Sequence, residues 1–248
     1  MKNLFISTAF LLSGTISLSS HANDIDPELQ LKLDETYDLY QTGLYRETLD
    51  NIKWLNKHAV AIDYNFYLVR LGAVLPLWNS LGEVYEPARK SFIHALNNAI
   101  QNTLDSPNNC NAFDDTRLML DINDKYDEFI SLLENKELSY PSVWKRCWDY
   151  NMSLTTVEHS SKPLIDAYLV DLSDHFKNTF VPVIDGLYDT CSGLGDYTPI
   201  CQDDVKVYLN DVSMAFRNAA KDHYGLEEEG QIGGITLKLL LKWQNQSQ

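Results

Sequence analysis

Asp171, Asp174 and His175 form the best cluster of acids and imidazole in the chain. Asp171 and His175 are four residues apart, so one helical turn would bring the carboxylate within reach of the ring. A carboxylate so placed orients a histidine for metal binding or proton transfer. The same pair is also the ordinary furniture of a solvated helix face. The sequence offers no third ligand nearby and no Gly-x-Ser-x-Gly nucleophile motif. His58, His94, His159 and His223 show no ligand spacing to one another. Asp171, Asp174 and His175 are therefore the one candidate grouping for a metal-dependent enzyme or a small-ligand binder. No catalytic residue, no metal and no cofactor is assigned.

Two other stretches invite a chemical reading. Asp114, Asp115, Asp121, Asp124, Asp127 and Glu128 make the densest acidic run. Asp121 to Asp127 has oxygen-bearing side chains at calcium-loop intervals, but it lacks the turn glycine and the closing glutamate. On a helix, Asp114, Asp121 and Asp124 share one face, expected to be solvated. The stretch from Gly225 to Gly234 is glycine-rich but carries three glutamates, the wrong sign for a phosphate cradle.

The elements that must position these side chains begin with an export signal. Lys2 precedes an apolar run, Leu4 to Leu12, and small residues at Ser20 and Ala22 suit signal peptidase. Cleavage is expected after Ala22, leaving 23–248 as a single domain in the periplasm or outside the cell. The loop at 105–111 is where two halves would meet. No later stretch has the roughly 20 apolar residues that cross a bilayer, so no membrane insertion is expected after cleavage. The net charge of −15 disfavours nucleic acid and anionic lipid, and favours a basic partner or plain solubility.

Four cysteines in an exported chain are expected to pair, with three connectivities open to them. Cys191 and Cys201 bracket a loop with two glycines and a proline, which can bring its ends together. That leaves Cys110 with Cys147. No Cys-x-x-Cys redox motif and no zinc spacing occurs.

Apolar residues recur at helical intervals almost throughout, and no strand alternation competes. The expected fold is all-α, an array of antiparallel helical hairpins with about eight or nine helices. The first helix opens at Pro27 and ends at Gly43. The second spans 45–58, the third 63–81 and the fourth 84–104. Others are expected at 112–135, 140–154, 161–188, 203–224 and 232–243. Pro76 should kink the helix that contains it, and Pro182 should kink or split its own. The last helix is apolar nearly all round and is expected to be buried.

One pattern occurs twice. Tyr45, Thr48, Ile52 and Leu55 are matched in spacing by Tyr85, Ala88, Phe92 and Ala95, with Gly43 and Gly82 just ahead. This resembles the second helix of tetratricopeptide repeats, in which an aromatic opens the helix and small residues let paired helices approach. The separation of the two tyrosines exceeds that family's 34-residue repeat, and Thr48 and Leu55 fit the small positions less well. The resemblance covers about 34–100. It implies a groove that binds a protein or peptide, lined by Tyr37, Tyr40 and Gln41 in the first unit and Asn79 and Ser80 in the second. The equally weighted reading is that Tyr37 and Tyr40 pack in the core. An inhibitor or immunity-type protein would be one form of such a binder.

Overall fold

A computed structural model describes residues 25–246; the expected export segment, 1–22, lies outside the described residues. The chain divides into two compact units, one ending at Phe92 and one beginning at Ile93. The described residues are all-α, with no strand among them. No described helix is long and apolar enough to cross a membrane.

The first unit is built from two hairpins. Helix α1 (Pro27–Gln41) is capped by Asp26, whose side chain accepts from the Glu28 and Leu29 amides, as an N-cap should. It ends at Gly43, φ +79°. There the Leu44 amide donates to the Leu39 carbonyl and the Gly43 amide to that of Tyr40, the Schellman arrangement that favours glycine. Helix α2 (Tyr45–Trp54) continues through a π-helical turn, Leu55–Ala59. Helix α3 (Leu75–Val84) is preceded by a short α segment and a π turn, Arg70–Val74. Helix α4 (Glu86–Asp105) follows after one residue and contains the boundary between the units.

The doubled pattern faces inward. Thr48, Ile52 and Leu55, and Ala88 with Phe92, are all buried. Gly82 does not end a helix as expected, because α3 runs on to Val84. A Cβ on Gly82 would lie 3.1 Å from the Arg89 Cα. The glycine is there because the backbone of α4 passes over it.

In the second unit the expected fifth helix is two: α5 (Cys110–Asp121) and α6 (Tyr126–Ser139). Asp124 adopts φ +57° between them, and the Lys125 and Asp124 amides close a second Schellman turn onto Leu120 and Asp121. The helix expected over 140–154 forms only from Tyr150 onward, and 140–149 is non-helical. Tertiary contacts override the local pattern here. The buried Glu137 carboxylate accepts from the Ser142 amide and, at 2.5 Å, from the Tyr168 hydroxyl. The Trp144 amide donates to the Tyr168 oxygen, and its indole to the Leu133 carbonyl. Trp144 is fully buried beside Phe113.

Helix α7 (Tyr150–Glu158) is capped by Asp149, and α8 (Lys162–Tyr168) follows a tight turn. Helix α9 (Val181–Cys191) is preceded by Leu172–His175 and a π turn, Phe176–Phe180. Each π turn before a proline ends two residues ahead of it, at Val74 for Pro76 and Phe180 for Pro182. Proline has no amide for the i−4 carbonyl and its ring collides with it. Widening the preceding turn is how the helix passes the obstacle. Helix α10 (Thr198–His223) packs against α7, α9 and α11 (Leu226–Gln246). Phe176, Phe180 and Phe216 fill the space between them. The last helix, expected to be buried, buries one face only: Ile232, Leu239 and Trp243 are inside, whereas Leu237 and Leu241 are exposed. Trp243 stacks on Tyr188 at 4.2 Å and donates to Asp185.

Both disulfides have the expected partners: Cys110 with Cys147 and Cys191 with Cys201.

Candidate functional site

On the first unit, tyrosines gather where the hairpins turn. Tyr40, at the end of α1, lies 6.2 Å from Tyr45, which opens α2, and Tyr45 lies 6.2 Å from Tyr85, between α3 and α4 (ring centroids). All three are half-buried. Leu44 and Val84, each directly ahead of one of these tyrosines, are 49% and 55% exposed. Tyr37 sits one turn before Tyr40; its hydroxyl is held above the usual tyrosine range by partial burial. Gln41 is exposed.

The row therefore brings Tyr40 together with Tyr45 and Tyr85. It meets α3 at its end, not at Asn79 and Ser80, which are half-buried in the middle of that helix. Tyr45 and Tyr85 are not among the groove residues that the sequence resemblance implies. Their equal place in the doubled pattern was the available signal.

The acid–imidazole grouping has a different geometry from the one its spacing allows. Asp171 lies just outside the helix and caps it, accepting from the Asp174 amide at 2.8 Å and the Ser173 hydroxyl at 3.0 Å. These bonds from the Asp174 amide and the Ser173 hydroxyl hold its carboxyl below the usual range, against a smaller effect of burial. The His175 Nε2 is buried without a hydrogen-bond partner, and its ring lies among Phe180 and Phe216. Desolvation holds its pKa below the usual histidine value. Among the described residues, no group of three or more His, Cys, Asp or Glu is arranged to hold a metal ion. In the acidic run, Asp127 pairs with His159 and Glu128 with Lys125.

The structure also joins two residues that sequence spacing could not. Ser160 Oγ lies 2.9 Å from the His223 Nε2, and Ser160 has φ +51°. A serine in that conformation beside an imidazole has the outward form of an activated nucleophile. The hydrogen bonds say otherwise. Nε2 is also 2.8 Å from the Ser160 carbonyl, which can only accept, so that nitrogen carries the proton. The positive φ belongs to a Schellman turn, in which the Ser161 amide donates to Thr156 and the Ser160 amide to Val157. The pair fastens the end of α10 to the α7–α8 turn.

No family model, curated protein or solved structure matches the chain.

Proposed function

We propose that this chain is exported, to the periplasm or beyond the cell, and there binds another protein or a peptide through the tyrosine-bearing face of its first unit. The carrying observation is the row Tyr40–Tyr45–Tyr85 flanked by exposed Leu44 and Val84. Aromatic rings held by their neighbours offer contact area at little entropic cost, and their hydroxyls add direction. Two formed disulfides support an oxidising compartment. The acidic balance of the chain favours a basic partner and a steered encounter. A groove between helical hairpins, as in tetratricopeptide repeats, is the form of binding this reading adopts. An inhibitor or immunity-type role is its most specific version.

The test is recovery of a partner from periplasmic and envelope extract by oxidised 23–248, at low and high salt, with wild type beside Tyr40→Ala/Gln41→Ala. A protein retained by wild type at low salt and lost by the variant supports the reading. A protein retained equally by both, or none at all, sinks it.

A further inference from the structure

Between α9 and α10 the chain is pinned from both sides. Cys191 is buried and bonded to Cys201. The Thr198 hydroxyl donates to the Cys191 carbonyl at 2.9 Å, and a single 3-10 turn, Gly195–Tyr197, fills the space between. On this loop Leu194, Tyr197 and Ile200 follow one another at three-residue steps. A 3-10 turn running into a helix keeps such residues on one side. They are 41%, 69% and 60% exposed. A lone exposed apolar residue is ordinary. Three on one cross-linked loop form contact area whose ordering cost is already met before any partner arrives.

Acidic side chains outnumber cations around them, although Lys242, bonded to Asp185, also feels the charge of Asp189. Asp189, Asp196 and Asp204 are exposed on the same stretch. The cation nearest in sequence, Lys206, is bonded to Asp203 at 2.8 Å and lies over the Tyr188 ring. An acidic rim repels nucleic acid and anionic lipid and attracts basic side chains.

We propose that the Cys191–Cys201 loop is a docking surface for a protein segment that carries apolar side chains interspersed with Lys or Arg. The apolar side chains cover Leu194, Tyr197 and Ile200, and the cations meet the three aspartates. The disulfide holds the loop in its binding shape. This surface belongs to the second unit and does not rest on the tyrosine row.

The test uses the full oxidised chain and a short dye-labelled peptide alternating Lys and Leu, with Glu–Leu and Lys–Ser counterparts, read by fluorescence anisotropy. The Lys–Leu peptide should bind more tightly than either counterpart. Its affinity should fall by about tenfold or more in Tyr197→Ser/Ile200→Ser and also in Asp196→Asn/Asp204→Asn. Because these residues are exposed, the variants should melt with wild type, and thermal unfolding checks that. Cys191→Ser/Cys201→Ser should weaken binding although every contact residue remains. Equal affinity for wild type and Tyr197→Ser/Ile200→Ser overturns the proposal, as does equal binding of the Glu–Leu peptide. A loss seen with Tyr40→Ala but not with the loop variants places the peptide on the tyrosine row and overturns the loop alone.

Discussion

The ring of Tyr45 packs against the ring of Tyr85, its counterpart in the doubled pattern, with centroids 6.2 Å apart. Neither residue is close to the other in sequence, so this contact reports the packing of one hairpin on the next. Tyr45→Ala and Tyr85→Ala should each destabilise the first unit. Their double variant should fall short of the sum by about 0.5–1.5 kcal/mol. Urea midpoints of the four proteins measure that coupling, and strict additivity would deny it.

Replacing a helical glycine by alanine ordinarily stabilises by about 0.5–1 kcal/mol. Gly186, inside α9 with nothing near its missing side chain, should follow that rule. Gly82→Ala should reverse it, because its Cβ meets the Arg89 Cα at 3.1 Å. A loss of about 1–3 kcal/mol is expected. A shared sign in chemical denaturation would mean that α4 yields easily.

Val170 adopts φ +57° and is 75% exposed. A β-branched residue in that region is strained by roughly 1–2 kcal/mol. Val170→Gly should therefore raise the unfolding midpoint, even though glycine loosens the unfolded chain. A lowered midpoint would show that the valine side chain contributes more than its backbone costs.

Burial keeps the His175 ring neutral in the fold to a lower pH than in the unfolded chain. The unfolded state then takes up its proton first. Stability is fully present above about pH 6.5 and is lost as pH falls from there through the depressed folded value. His175→Leu should flatten that part of the stability curve. Asp185 behaves in a separate window. Burial would raise its pKa, but the hydrogen bonds from Lys242 and Trp243 outweigh it and leave the value lowered. Its contribution fades only as pH falls below about 3.9. Urea midpoints at closely spaced pH values separate the two, and an unchanged slope in His175→Leu between about pH 6.5 and 5 would refute the first.

Cys110 and Cys147 close a loop of 37 residues, and Cys191 and Cys201 one of 10. In the chain-entropy account these are worth about 3.8 and about 2.7 kcal/mol. Serine at both ends of the longer bridge should thus cost about 1 kcal/mol more than at the shorter. The reverse order in thermal or urea unfolding would point to residual structure in the cross-linked unfolded chain.

Much of the helical architecture was legible because it is local. The helix start at Pro27, the turn at Gly43 and the inward face of Thr48, Ile52, Leu55, Ala88 and Phe92 all follow from residue type and spacing. Both cysteine pairs followed from loop chemistry. What escaped depends on distant partners. Tyr140–Pro141 reads as a helix start until the Glu137 carboxylate and Tyr168 hydroxyl claim the backbone of Ser142 and Trp144. Asp171 and His175 read as a pair until Asp171 is used as a cap. Ser160 and His223 lie 63 residues apart, and no spacing rule could have joined them. Of the tyrosine row, the sequence points to Tyr40 but not to Tyr45 and Tyr85, because their half-exposure depends on how the hairpins meet.

Every cysteine of the chain lies beyond residue 92. A reducing agent, or synthesis in a reducing cell, therefore acts on the loop that presents Tyr197 and Ile200 and leaves the Tyr40–Tyr45–Tyr85 row without a bond to break. Within one preparation, thiol chemistry thus changes the covalent frame of the second unit alone and spares the tyrosine row.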